Sequence, residues 1–307
     1  MFWALDIYRP PPWRSIALKT ALILGSVLGS SDIFVIHSSL ISLKRVLDID
    51  CPHVFTIVLV IKGENMELWT AATPNGWKVN IMIEELIEAG VQMPEVTIRA
   101  IDLGKGEQFT EEFTHHNPNQ KIPVLIDDEI SVMESCAILQ YLGEKYPSSL
   151  LPEGLDRWHV IQWVYWQAAN VGPNFGNKLS YTRYMDDVDP ALKEHPLERF
   201  GKEARRLAHV LDKQLGDNPW VCGDTFTIAD ISIYPWIRGW KWSKVNITDL
   251  PRVEAWVKRV RARPAVERGL AYGVPKDEID QWSEERKAQY RKGGSSIASN
   301  EKLRSEA

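Results

Sequence analysis

Residues 68–86 read LWTAATPNGWKVNIMIEEL, and the fold turns on the change of pattern inside this stretch. Leu68 to Ala71 suits a short strand, whereas Val79, Met82, Ile83 and Leu86 recur at i, i+3, i+4 and i+7, one face of a helix. Between them stands Thr73-Pro74-Asn75-Gly76: a hydroxyl, a proline, an amide and a glycine. A plain connector needs only turn residues there. A catalytic site wants hydrogen-bond donors where a helix begins.

Downstream, EVTIRAID alternates as a second strand, and IPVLIDD and EISVM bracket Asp127-Asp128 as a hairpin. Ile138, Tyr141 and Leu142 open another helical face. The order strand, helix, strand, short helix, hairpin, helix predicts an α/β layer with segregated antiparallel strands, as in a thioredoxin-like domain. Pro147 and PSSLLPEG stop the pattern, which places a linker near residues 147–154. Everything after it reads as helix. Phe200, Ala204, Leu207, Leu211 and Leu215 form one stripe, and Val253, Trp256, Val257 and Val260 another. TIAD at Thr227 to Asp230 has the form of a capping box.

The division expected is an N-terminal extension over 1–65, a thioredoxin-like domain over 66–148, an all-helical domain over 154–273 and a polar tail over 274–307. The extension reads unlike the rest. Thr20 to Leu43 is long enough for a membrane span of about 20 residues, but Asp32, His37 and several serines interrupt it. Three readings stay open: a membrane anchor, a targeting segment with Arg9, Arg14 and Lys19 as its basic region, or an appendage outside the working protein with Met66 as an alternative initiator.

Composition narrows the partners. A chain of 307 residues, 44% hydrophobic and 25% charged, has material for two domains. A formal charge of -5 argues against nucleic acid, which is held by clustered Lys and Arg. Cys51, Cys136 and Cys222 are odd in number and lack metal-ligand spacing, so a reducing, cytoplasmic compartment fits and no zinc site is suggested. His115-His116 has no Cys or His cluster nearby, and no metal is assigned.

Six fragments in this order, TPNGWKVNIMIEEL, DLGKGEQFTEEF, NPNQKIPVL, MESCAILQYL, WQAANVGPNFG and PWVCGDTFTIADI, resemble the glutathione transferase superfamily, with the bacterial nu class and the fungal nitrogen-regulator-like group closest. The resemblance covers about Met66 to Tyr272. It implies glutathione as co-substrate, no metal cofactor, a homodimer, and a small-molecule electrophile or disulfide as second substrate, with no membrane or nucleic-acid partner. Asn75 and Thr73 match the catalytic turn. Other classes place Tyr, Ser or Cys at the thiol; here the candidates are a hydroxyl and an amide, and the Asn75 amide donates without acting as a base.

For binding, the resemblance implies Ile122 pairing strand-like with the cysteinyl unit before a cis Pro123. Glu134 and Ser135 would meet the γ-glutamyl end, where helix amides attract a carboxylate. Gln108 and Lys121 would meet the glycine end, and Arg199 would reach glutathione from a neighbouring subunit. The aromatic run 157–175 suggests a second-substrate cleft with Trp163, Trp166 and Phe175, although most of the run is core. Cys136 reads as a small packed residue near the site. Conjugation of glutathione to a bulky electrophile, in detoxification or secondary-metabolite tailoring, is the leading expectation. Glutathione-dependent disulfide reduction and a non-catalytic glutathione-binding regulatory module are the alternatives.

Overall fold

A computed structural model of the protein describes residues 65–185 and 188–272, so the N-terminal extension up to residue 64 and the polar tail from residue 274 lie outside the described residues. The first half runs β1 (Met66–Thr70), α1 (Pro74–Glu88), β2 (Val96–Ala100), a 3-10 turn (Glu107–Phe109), α2 (Glu111–His116), β3 (Val124–Asp127), β4 (Ile130–Met133) and α3 (Ser135–Lys145). The sheet order is β2-β1-β3-β4.

The sheet is mixed rather than purely antiparallel. β1 and β2 are parallel, with Met66 opposite Val96, because a helix joins them and carries the chain back to the end of the sheet where β1 starts. β3 and β4 are joined by Asp128-Glu129 alone, and a two-residue link permits only the antiparallel pairing seen. Asp128 takes the left-handed backbone such a turn requires, at φ 52°. Met66 and Leu68 are fully buried and meet Val79, Met82 and Leu86 of α1 and Ile138 and Leu142 of α3.

The second half is helical: α4 (Gly154–Trp166), α5 (Gly172–Arg183), α6 (Pro190–Leu215), α7 (Ile228–Ile237), α8 (Trp240–Ser243), α9 (Pro251–Arg261) and α10 (Pro264–Ala271). A π turn at Gln167–Val171 joins α4 to α5. Pro173 supplies a reason: in a regular helix its ring meets the carbonyl four residues back, and one extra residue in the turn relieves that clash. Ala204, Leu207, Leu211 and Leu215 of α6 are buried, and Phe200 of the same stripe stacks on Tyr181 with centroids 6.0 Å apart. The capping box is present: Thr227 accepts from the Ala229 amide, and Asp230 returns to the Thr227 amide at 3.1 Å. Phe175, expected at the second-substrate cleft, is instead core, 1% exposed. It lies four residues after the fully buried Val171, on the same inward helix face.

The two halves close on each other through α10 and α1. A Cβ at Gly269 would stand 2.7 Å from the Cα of Ile81, so only glycine lets these helices approach so closely. Beside that contact Arg268 reaches Glu84 and Glu88 at 2.7 and 2.6 Å. No helix among the described residues is long and apolar enough to cross a membrane.

Candidate functional site

The turn between β1 and α1 is built by local chemistry. Thr73 is the N-cap, extended at φ -131°, and its hydroxyl accepts from the Gly76 amide at 3.2 Å. Pro74 follows in the first helical position, where a missing N–H costs nothing. Gly76 has no alternative: a Cβ there would fall 2.1 Å from the Ala71 carbonyl oxygen and 2.5 Å from the Thr70 hydroxyl. Asn75, half-buried, is thereby held over the start of the helix.

The side chain of Asn75 is oriented from two sides. Its Oδ1 accepts from Lys78 Nζ at 3.0 Å and from the Trp236 indole Nε1 at 3.3 Å. An ammonium and an indole N–H are donors only, so oxygen is the only amide atom that can face them. The NH2 group of Asn75 is therefore turned the other way, and it is the donor available to a ligand.

Lys78 is the residue that sequence reasoning missed. Its side chain is 2% exposed, yet Nζ donates to Asn75, to Ser135 Oγ at 3.2 Å and to Gln167 Oε1 at 2.8 Å. These acceptors come from α1, α3 and the π turn, and all are neutral. Among the described residues Lys78 has no ion-pair partner. Burial lowers its pKa, opposed by the nearby Cys136 and Glu134. The one sequence signal was a lysine three residues after Asn75 inside the apolar run WKVNIMI. Gln167 lay unremarked inside a quoted fragment. Trp236 carried no local signal, because its contact with Asn75 spans 161 residues.

Ser135 is the first residue of α3 and is buried, while the preceding Glu134 is exposed at φ 68° and ψ 112° and caps nothing with its side chain. A non-glycine residue in that region costs about 1–3 kcal/mol and is held there only by its surroundings. The consequence is that the first amides of α3 keep no side-chain cap. Cys136 is more than packing: its thiol donates to Gln167 Oε1 at 3.0 Å. Burial pushes that thiol up, against the pull of Lys78, and burial likewise holds Cys222 up at about 12. Neither is a ready thiolate.

The Ile122–Pro123 bond is cis, and neither backbone group of Ile122 has a backbone partner among the described residues. Lys121 is half-buried and its pKa is lowered by burial, while its carbonyl accepts from Asn117 at 2.6 Å. Gln108 does not face solvent. It is 1% exposed, and both polar atoms of its amide lack partners among the described residues. Trp163 and Trp166 stand edge to face, 4.9 Å apart and half-buried on α4. Arg199 is exposed on α6, remote in kind from these buried groups.

The chain matches the model of the glutathione S-transferase N-terminal domain over residues 64–144 and that of the C-terminal domain over residues 182–264. It is 36% identical over 214 residues to the disulfide-bond oxidoreductase YfcG of Escherichia coli, covering 67% of this chain and 94% of that protein. A crystal structure of a glutathione transferase family member from Pseudomonas fluorescens, with two glutathione bound, superposes with a TM-score of 0.62 at 36% identity, over 67% of this chain and 92% of that one. The glutathione transferase URE2P6 of Phanerochaete chrysosporium, solved with oxidized glutathione, gives 0.60 at 31% identity, over 67% and 95%. Bacterial YfcG-like and fungal Ure2-like proteins are thus both among its relatives, and the chain belongs to the glutathione S-transferase family.

Proposed function

We propose that the protein binds glutathione and holds its thiol as a thiolate, with the Asn75 NH2 group donating to sulfur, for attack on a hydrophobic electrophile. The observation that carries this reading is the orientation of Asn75, whose oxygen is engaged by two donor-only groups. The γ-glutamyl carboxylate sits at Ser135 and the uncapped amides of α3, with Glu134 taking the ammonium. The backbone of Ile122 beside Pro123 pairs with the cysteinyl unit, and Lys121 and Gln108 meet the glycine end. Trp163 and Trp166 face the second substrate. Arg199, being exposed, is free to reach the glutathione of a neighbouring subunit in a homodimer.

The magnitudes are adequate. Lowering a thiol pKa from about 8.5 by two units takes about 2.7 kcal/mol. A hydrogen bond to a charged group contributes about 1.5–3 kcal/mol and a helix N-terminus about 0.3–1 more. In conjugation the sulfur lone pair forms the new S–C bond, and the leaving group departs with its electron pair.

A second reading, disulfide-bond reduction, is favoured by the name and 36% identity of the Escherichia coli relative. The same thiolate would attack a disulfide sulfur, releasing one thiolate, and a second glutathione thiolate would attack the glutathione sulfur of the mixed disulfide, forming glutathione disulfide and releasing the other thiolate. Rates of the purified chain with an aromatic model electrophile and with a hydroxyethyl mixed disulfide separate the two. In either case Asn75→Ala should raise the bound-thiol pKa by about one to two units. An unchanged thiolate absorbance titration would remove Asn75 from the chemistry.

A further inference from the structure

We propose that Lys78 is a positioning residue that sets, through one buried ammonium, the direction of two donors aimed at bound glutathione: the Asn75 amide and the Ser135 hydroxyl. The inference rests on the role of Asn75 given above. Its basis is that an ammonium can only donate. At 3.0 Å it obliges Asn75 to present oxygen, and at 3.2 Å it obliges Ser135 to accept, so the Asn75 NH2 is left for the ligand and the Ser135 O–H is turned away from the ammonium. Gln167 at 2.8 Å takes the remaining ammonium proton, and Trp236 adds a second donor to the same Asn75 oxygen.

The charge has a second consequence. The titratable groups facing Lys78 are Cys136, protonated by burial, and Glu134, which is exposed and makes no ion pair with it. A buried cation without a carboxylate partner is costly in isolation. A ligand carboxylate bound at Ser135 supplies the missing opposite charge. If the ammonium is removed, the Asn75 amide is free to turn its oxygen lone pairs toward the sulfur. That orientation opposes a thiolate.

The test measures the bound-thiol pKa by thiolate absorbance, and the affinity for S-methylglutathione, which keeps the γ-glutamyl end but cannot form a thiolate. Lys78→Met should raise the thiol pKa by about one unit and weaken S-methylglutathione binding about ten-fold. Trp236→Phe, which leaves the buried charge in place, should raise the thiol pKa in the same direction. The Asn75→Ala/Lys78→Met double variant should titrate like Asn75→Ala alone, since Lys78 acts on sulfur through Asn75.

A wild-type thiol titration in Lys78→Met, with a shift retained in Asn75→Ala, would overturn the positioning role and leave the role of Asn75 standing. Should Lys78→Met fail to fold, Lys78→Gln, which removes the charge and leaves a side chain that can accept as well as donate, is titrated in its place and read in the same way. Additive shifts in the double variant would also overturn it, because they mean a direct charge effect. No shift in Asn75→Ala would instead remove the reading on which the inference rests.

Discussion

Arg263 at the start of α10 grips Glu85 of α1 with two hydrogen bonds of 2.6 Å, across 178 residues of sequence, and the Glu85 side chain is only 2% exposed. The guanidinium also lies 4.0 Å over the ring of Phe226. Removing the arginine strands a buried carboxylate. Arg263→Met should therefore cost about 3 kcal/mol in chemical denaturation, and Arg263→Met/Glu85→Leu should recover most of that loss. Equal stabilities of the single and double variants would mean that the pair does not close the two halves.

Thr73 is a cap in this structure, because its hydroxyl accepts from the Gly76 amide. Thr73→Val should lower stability by about 1 kcal/mol, and shift the bound-thiol titration less than Asn75→Ala does. Thr73→Ser should restore both values. A larger shift for Thr73→Val than for Asn75→Ala would make the hydroxyl the donor to sulfur.

Gln108 is buried with both amide atoms unpartnered among the described residues, a costly arrangement for a purely structural residue. Gln108→Met should raise unliganded stability by about 1–2 kcal/mol while weakening glutathione binding, because the amide is kept for the ligand and not for the fold. Thermal unfolding with and without glutathione reads both effects. A variant that gains stability and keeps its affinity would exclude Gln108 from the site.

Asp230 is fully buried and accepts from the amides of Val221 and Thr227 and from the Trp256 indole at 3.0, 3.1 and 2.8 Å. Burial outweighs these donors and raises its pKa from 3.8 to about 6. A raised folded pKa means that the native state binds the proton more tightly than the unfolded chain. The stability so linked is complete below about pH 4 and is lost as pH rises through about 6, and it amounts to about 3 kcal/mol. Comparing denaturation curves of the wild type and Asp230→Asn from pH 4 to 7 isolates it: the wild type should lose stability relative to the variant as pH rises. A constant difference would refute the linkage.

Local pattern determined the elements of this protein. The 3.6-residue spacing of Val79, Met82 and Leu86, the hairpin turn, expected at Asp127-Asp128 and found one residue later at Asp128-Glu129, and the Thr227 to Asp230 capping box each act over a few residues, so they are readable without the fold. The candidate site was legible where its chemistry is local too: a hydroxyl, proline, amide and glycine at a helix start, and a serine opening another helix.

What only the tertiary structure decided is which way those groups point. Lys78 looks like a solvated lysine until α3 and the π turn enclose it, and the oxygen of Asn75 is committed only when Trp236 arrives from the other half of the chain. Phe175 passed for a cleft residue for the same reason, since helical spacing names an apolar face but not the neighbour that covers it. Burial and long-range donor–acceptor pairing arise from the whole packed molecule. No window of sequence short enough to read as a motif contains them.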